Sequence, residues 1–199
     1  MKLLAAVGLA LVALAALALA GYRLLPAWYA ESVPAVVARQ VYPLEHEAAI
    51  RETAARHGVD PALVAAMIYQ ESSFRETVVS ESGAIGLMQV TPATAEDIAR
   101  RTGGVRFETR DLEDPEINIR YGTDQLRHLL ERYAGDEAAA LAAYHAGPGS
   151  VDGWLRAAGT DDLELADIAF ADTRAYVERV GRLRTIYRRA WGDALDGRS

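Results

Sequence analysis

Apolar residues from Pro43 onward recur three and four positions apart, in segments separated by short polar or glycine-containing breaks. This spacing indicates amphipathic helices. Three segments open with a capping residue followed by proline, at Asp60–Pro61, Thr91–Pro92 and Asp114–Pro115. The side chain of the first residue can cap the helix, and proline after it costs no hydrogen bond. Gly58 is placed to end the preceding helix. The pattern therefore predicts a mainly α domain.

Helices are also predicted in the second half of the chain. In residues 116–135, core spacing is shared by Leu126, Leu129, Leu130 and Tyr133. Asp136 is predicted to cap the next helix. A last helix begins near Asp172, and its apolar face carries Tyr176, Val180, Leu183, Tyr187 and Trp191. Its basic residues are predicted to form a solvated face: Arg182, Arg184, Arg188 and Arg189.

One segment does not fit the helical pattern. Residues 78–90, VVSESGAIGLMQV, are interrupted by two glycines and carry β-branched residues at both ends. Glycine is unfavourable inside a helix and common in turns. The segment therefore predicts a turn with short β segments inside the helical domain.

The N-terminus carries an apolar run from Leu3 to Tyr22. Its length matches the roughly 20 residues that span a bilayer, which favours an uncleaved transmembrane anchor at residues 1–22. A secretory signal cleaved after the A-x-A site at Ala18–Ala20 is the alternative. Residues 23–42 are predicted to be a membrane-proximal connector, 43–192 the helical domain and 193–199 a C-terminal tail. Both alternatives place the helical domain outside the cytoplasm.

Composition narrows the possible partners and chemistry. The 199 residues are 51% hydrophobic and 25% charged, and the formal net charge is -7. An acidic chain is not suited to nucleic-acid binding, which needs basic surface. There is no cysteine, so disulfides, thiolate metal sites and cysteine nucleophiles are excluded. The four histidines form no metal-binding pattern, and no metal or organic cofactor is expected.

Glu71 is the main candidate for chemistry. It continues the helical stripe formed by Val64, Met67 and Ile68, so its carboxyl is predicted to lie on an apolar face. Burial of a carboxyl raises its pKa, and an acid that is protonated near neutral pH can act as a general acid. The alternative is structural: Glu71 bends outward at the helix end or pairs with Arg75.

Four short motifs follow in order: ESSF at 71–74, GAIGLMQVTP at 83–92, AAYHAGPGSV at 142–151 and DTRAYVERV at 172–180. Together they resemble the soluble-type lytic transglycosylases, which are relatives of goose-type lysozyme. The resemblance extends over residues 43–191. It implies a lysozyme-like helical domain with a small β or turn segment.

The resemblance also implies roles for individual residues. Glu71 matches the sole catalytic acid/base, and Tyr144 matches a tyrosine whose hydroxyl faces the catalytic carboxylate. The implied substrate-binding residues are Ser72, Gly86, Leu87, Met88, Gln89, His145, Ala146, Gly147, Asp172 and Tyr176. From periodicity alone, Leu87 and Met88 could equally be core residues.

Two positions depart from the family pattern. His145 stands where the family usually has Asn, and Asp172 stands where it usually has Glu. The shorter Asp side chain puts the sugar contact at this position in doubt. Asp172 is also predicted to be the N-cap of its helix, which is a sufficient structural reason for its presence.

The implied reaction cleaves the bond between MurNAc and GlcNAc in peptidoglycan without water and leaves 1,6-anhydro-MurNAc ends. The expected partners are peptidoglycan glycan strands and, through the N-terminal helix, the membrane. Two alternatives remain open. One is a hydrolase of the goose-lysozyme kind, which would need a positioned water and usually a second acid, with Glu76, Glu81 and Asp172 as the candidates. The other is a catalytically silent wall-binding module.

Overall fold

The computed structural model describes residues 34–103 and 107–198. The helices in this part of the chain are α1 (Ala35–Val41), α2 (Glu47–His57), α3 (Pro61–Ser72), α4 (Pro92–Thr102), α5 (Pro115–Arg132), α6 (Glu137–Ala146), α7 (Pro148–Ala158) and α8 (Ala171–Leu195). Short 3-10 helices occupy Thr109–Glu113 and Leu165–Asp167. The predicted mainly α architecture is confirmed.

The predicted caps determine where the helices begin. The Asp60 carboxylate accepts from the Ala62 N–H at 2.8 Å, at the start of α3. Thr91 caps α4, Asp114 caps α5 and Asp136 caps α6 in the same way. Each side chain satisfies a backbone N–H that has no partner within its helix. Gly58 ends α2 in the left-handed conformation, with φ of 62°.

Helix α3 lies at the centre of the molecule. Every residue from Ala62 to Ile68 is at most 2% exposed. A helix that is apolar on all sides must be covered on all sides. Helix α8 covers α3 along most of its length, and α2 packs against α3 and α5. The C-terminal end of this buried helix carries Glu71, so the core directly supports the candidate acid.

Helices α3 and α8 run antiparallel, and a charged cluster joins one end of the pair. Arg184 and Arg188 of α8 both bind the Asp60 carboxylate at the start of α3. Arg184 also pairs with Glu137 of α6 at 2.7 Å. The prediction of a simple solvated basic face is therefore wrong for Arg184 and Arg188. Sequence periodicity could not reveal their acidic partners, which lie more than 40 residues away.

Other parts of the fold differ from the predictions. The expected β segments are reduced to the isolated bridges Val79–Ile85 and Ile85–Val90 in the described part of the chain. Helix α7 is an addition to the helices predicted from the sequence, and its first residue is Pro148, which suits the first helical turn. The N-cap of α8 is Phe170, so Asp172 lies inside the first turn. The predicted cap at Asp172 is wrong.

Helical structure also extends beyond residues 43–192 at both ends. Helix α1, in the predicted connector, packs against α8 through the buried Ala38 and Val41. Arg39 donates to the Ala190 carbonyl at 2.6 Å. Helix α8 continues into the predicted tail as far as Leu195, which is 1% exposed. Packing on α8 explains both extensions, because apolar residues outside 43–192 complete its buried face.

The predicted membrane anchor, residues 1–22, lies outside the described residues. Within residues 34–103 and 107–198, no helix combines the length and the apolar composition needed to cross a bilayer.

Replacement of Asp60 tests the charged end of the α3–α8 pair. We expect Asp60→Ala to lower the free energy of unfolding by about 1–3 kcal/mol, because it removes a helix cap and two partly exposed ion pairs. Urea denaturation at low and high salt measures the loss. Asp114→Ala is the matched control, since it removes an Asp-Pro cap of the same kind, and we expect a cost of about 1 kcal/mol. Equal losses in the two variants, with the same salt dependence, would contradict a contribution from the arginines.

Candidate active site

Glu71 lies in the last turn of α3, and the chain reverses immediately after it. Ser73 and Phe74 have φ of 53° and 61°, in the left-handed region that non-glycine residues rarely adopt. The Phe74 side chain is 4% exposed and packs 6.1 Å from the Tyr187 ring. Burial of Phe74 stabilises this unusual backbone. The reversal ends α3 directly after Glu71, which leaves the carboxyl at the edge of the core.

Tyr176 is the hydrogen-bond partner of this carboxyl. Its hydroxyl donates to Glu71 Oε1 at 2.6 Å, and its side chain is only 1% exposed. Burial raises the pKa of Glu71 to about 7, although the Tyr176 hydrogen bond acts in the opposite direction. The carboxyl is therefore close to half protonated at neutral pH. Glu71 can give up a proton and take one back under the same conditions.

Tyr144 donates its hydrogen bond to the turn and not to Glu71. Its hydroxyl donates to the Met88 carbonyl at 2.8 Å. Burial is the main reason that the pKa of Tyr144 is raised, and the negative charge of Glu71 is the second. The effect of that charge indicates that Tyr144 lies near the acid. The hydrogen bond to the carboxyl thus comes from Tyr176, and a catalytic role for Tyr144 stays a prediction. The sequence could not separate the two tyrosines, because the choice depends on how α6 and α8 pack around α3.

The turn that contains GLMQ is held by its own backbone and side chains. The Gln89 amide donates to the carbonyls of Val78 and Gly86, at 3.1 and 2.9 Å. Leu87 and Met88 are both 0% exposed, so their side chains belong to the core. Core packing is one of the two roles that the sequence allows for these residues, the other being a substrate contact. The turn is therefore anchored to the core by Leu87 and Met88 and closed by the Gln89 amide.

Asn118 of α5 is a buried residue that the sequence analysis missed. Its Oδ1 accepts from the Met88 N–H at 2.8 Å, and its Nδ2 donates to the carbonyls of Ile85 and Leu112. Three backbone groups of two loops are thus satisfied by one side chain. The sequence does contain a sign of this role. Asn118 shares a helical stripe with Gly122 and Leu126, and it is polar where the stripe is otherwise apolar.

Two glycines allow this close packing. A Cβ at Gly86, where φ is 79°, would overlap the Asn118 side chain and come within 2.8 Å of the Leu112 carbonyl oxygen. A Cβ at Gly122 of α5 would lie 2.5 Å from the Met88 Cβ. Any larger residue would push the turn away from α5. Glycine at both positions therefore helps to place the turn beside Glu71.

The remaining predicted site residues are Ser72, which is buried within α3, and a group at the end of α6 and the start of α8. Ser72 is 1% exposed, and its hydroxyl donates to the Ile68 carbonyl within α3, so its contact is structural. His145, Ala146 and Gly147 form the end of α6, next to α8. His145 is exposed and its Nδ1 lies 3.0 Å from the Thr173 hydroxyl oxygen. Asp172 is exposed in the first turn of α8.

Glu71 differs from the other acids considered for catalysis. Among the described residues, Glu71 is the carboxyl group whose pKa is clearly raised above its usual value, and burial is the main cause. Glu76 pairs with His46 at 3.0 Å, and Glu81 is exposed on the turn. The site therefore has the features of a one-acid centre: a buried carboxyl, a tyrosine donor and an adjacent loop held from behind by Asn118.

Comparison with known proteins identifies the class to which this fold and site belong. Residues 48–165, more than half of the chain, match the family model described as the transglycosylase SLT domain. The chain belongs to that family.

Its relatives include the soluble lytic murein transglycosylase of Escherichia coli K12, with 31% identity over 186 residues, 88% of this chain and 29% of that protein. The Salmonella typhimurium protein of the same name is 31% identical over 185 residues, 87% of this chain and 29% of that protein. The chain thus spans less than a third of the length of these curated relatives.

Solved structures show the same fold. The 70 kDa soluble lytic transglycosylase of Escherichia coli aligns with a TM-score of 0.73 and 28% identity, over 80% of this chain and 26% of that one. Lytic transglycosylase Slt of Pseudomonas aeruginosa, solved as an inactive glutamate-to-glutamine mutant, aligns with a TM-score of 0.71 and 32% identity. The alignment covers 77% of this chain and 25% of that one. A complex of the 70-kDa soluble lytic transglycosylase with bulgecin A aligns with a TM-score of 0.72 and 29% identity. The alignment covers 79% of this chain and 26% of that one.

The raised pKa of Glu71 predicts a pH-dependent stability difference. The folded protein retains a proton up to about pH 7 that the unfolded chain releases near pH 4.5. Its free energy of unfolding therefore falls across that window, by at most about 3 kcal/mol. Glu71→Gln does not titrate. We expect the variant to gain about 1–3 kcal/mol relative to wild type between pH 4 and pH 8, in urea denaturation.

Glu81→Gln, on the exposed turn, is the matched control for this measurement. A difference between Glu71→Gln and wild type that stays constant from pH 4 to pH 8, or an equal change in the control, would contradict a specifically raised pKa at Glu71.

Proposed function

We propose that this domain is a lytic transglycosylase that cleaves the bond between MurNAc and GlcNAc in peptidoglycan. The observation that carries the proposal is the Glu71 carboxyl, with a pKa of about 7 and a hydrogen bond from Tyr176. Membership of the transglycosylase SLT domain family and the printed names of its relatives support the substrate and the reaction class. The inactive glutamate-to-glutamine mutant of the Pseudomonas aeruginosa relative is consistent with an essential acid.

The reaction needs one group that acts first as an acid and then as a base. Protonated Glu71 gives its proton to the glycosidic oxygen, and the bond from that oxygen to the MurNAc anomeric carbon breaks. The anomeric carbon becomes oxocarbenium-like, or forms an oxazolinium ion with the acetamide of the same sugar. Ionised Glu71 then takes the proton of the MurNAc 6-hydroxyl, whose oxygen bonds to the anomeric carbon. The product is a 1,6-anhydro ring, and Glu71 is protonated again.

The other residues of the site support these two steps. The Tyr176 hydroxyl donates to Glu71, so it stabilises the carboxylate formed by the first proton transfer. Tyr144 fixes the Met88 carbonyl, and Gln89 and Asn118 fix the rest of the turn beside the acid. The intramolecular attack gains from proximity, because the nucleophile belongs to the same sugar. No step requires a second carboxylate.

The products of peptidoglycan digestion test the proposed reaction. We expect muropeptides that end in 1,6-anhydro-MurNAc and carry no label when the digestion is done in heavy-oxygen water, because water does not attack. Mass spectrometry measures both properties. Glu71→Gln should reduce the rate at least 100-fold, about the minimum contribution of general acid–base catalysis.

Three results would argue against the proposal. Labelled reducing ends as the main product would indicate a hydrolase. Binding of peptidoglycan by the folded protein without any cleavage would indicate a wall-binding module. Near-wild-type activity of a folded Glu71→Gln variant would remove Glu71 from the mechanism.

We further propose that the N-terminal segment, residues 1–22, holds the domain at the extracytoplasmic face of the membrane. The support is the uninterrupted apolar run from Leu3 to Tyr22, which has the length of a bilayer-spanning helix. A membrane-bound enzyme of this kind would meet peptidoglycan directly.

Cell fractionation tests the anchor. We expect the protein at full mass in the membrane fraction, resistant to high-salt washing, because a buried apolar helix is not released by ionic strength. A soluble extracellular form that begins at Gly21 would show instead that the segment is a cleaved signal peptide.

A further inference from the structure

The hydrogen bond from Tyr176 to Glu71 requires the Tyr176 ring to be held in place. Tyr176 lies in the second turn of α8, whereas Glu71 lies in the last turn of α3. A side chain that turned even slightly away would lengthen the 2.6 Å contact. The groups that pack on the Tyr176 ring therefore control the hydrogen bond that Glu71 accepts.

His145 is one of those groups. Its imidazole centroid lies 4.6 Å from the Tyr176 ring centroid, with the two planes inclined by 34°. Its Nδ1 lies 3.0 Å from the hydroxyl of Thr173, which is 1% exposed. Thr173 and Tyr176 are three residues apart and share one face of α8. His145, at the end of α6, thus contacts α8 at two points separated by one helical turn.

The exposures of the two rings show how they are layered. His145 is exposed, whereas the Tyr176 ring that it contacts is 1% exposed. The imidazole therefore covers part of the tyrosine ring on the solvent side. The Thr173 hydroxyl limits rotation of the imidazole, and the imidazole limits movement of the tyrosine.

We infer that His145 is a positioning residue that holds the Tyr176 hydroxyl on the Glu71 carboxyl. Its consequence for catalysis rests on the proposed function, but the contact between the three side chains does not. The asparagine usual at this position in the family could reach a hydroxyl such as that of Thr173, but it has no ring to cover Tyr176. The inference therefore gives a physical role to the departure from the family pattern.

The charges around the imidazole fit this role. Partial burial, followed by the positive charge of Arg179, lowers the pKa of His145, and Asp172 acts in the opposite direction. Arg179 itself donates to Gln70, the neighbour of Glu71. The imidazole is therefore neutral at neutral pH, so it packs on Tyr176 without placing a positive charge close to Glu71. Such a charge would favour the ionised carboxylate and oppose proton donation.

The pKa of Glu71 is a direct measure of the Tyr176 contact. A hydrogen bond to a carboxylate favours the charged form, so its loss raises the pKa. We expect Tyr176→Phe to raise the Glu71 pKa by about 1 unit and His145→Ala by about half as much. In the Tyr176→Phe background, His145→Ala should give no further shift. The measurement is carbon-13 NMR titration of labelled glutamate, with the Glu71 signal assigned from Glu71→Gln.

Variants of His145 separate its two contacts. His145→Phe keeps a ring against Tyr176 and should leave the Glu71 pKa near the wild-type value. His145→Asn keeps a hydrogen-bonding group without a ring and should raise that pKa as His145→Ala does. His57→Ala, at the C-terminal end of α2, is the control and should not change the Glu71 pKa. Melting curves establish that each variant is folded, and His145→Asn replaces His145→Ala if the alanine variant does not fold.

An unchanged Glu71 pKa in folded His145→Ala and His145→Asn would overturn the inference. So would a shift of equal size with and without the Tyr176 hydroxyl, because His145 would then act on Glu71 by another route. The titration contains no substrate, so its outcome is independent of the proposed function. If the pKa shifts occur as expected but no glycan is cleaved, the positioning role stands and the proposed function fails.

Discussion

The carboxyl of Glu71, placed at the edge of an apolar core, is the constraint on which the rest of the site depends. Ionisation there is unfavourable because the surroundings solvate charge poorly, and the pKa rises to about 7. The Tyr176 hydrogen bond moderates this effect and keeps the ionised form accessible. A completely buried acid would stay protonated, and a fully exposed one would stay ionised. The intermediate position allows both forms near neutral pH.

The packing of α8 on α3 maintains that position. The two helices are antiparallel, so the charged cluster around Asp60 and the Tyr176–Glu71 contact lie at opposite ends of one helix pair. Asp60 and Glu71 are eleven positions apart, which corresponds to about 16 Å along the helix. A shift of α8 along α3 would disturb both ends together. The charged cluster around Asp60 thus also helps to define the register of α8 on α3, which brings Tyr176 to the acid.

The turn that contains GLMQ supports the acid mainly through its backbone. Its apolar side chains, Leu87 and Met88, are core residues, and Asn118 satisfies the buried Met88 N–H from behind. Gly86 is needed because no side chain fits between the turn and Asn118. A motif that is readily recognised in sequence can therefore consist largely of residues that shape a loop, while few of its side chains reach the substrate.

Sequence alone determined the features of this protein that depend on near neighbours in the chain. The caps at Asp60, Thr91 and Asp114 follow from local hydrogen bonding, and the apolar stripe that ends at Glu71 follows from helical periodicity. Tertiary structure alone decided that Tyr176, and not Tyr144, reaches the carboxyl, and that Asn118 holds the turn. These contacts join residues between 30 and 105 positions apart. Their geometry depends on how whole helices pack, and local spacing carries no record of that packing.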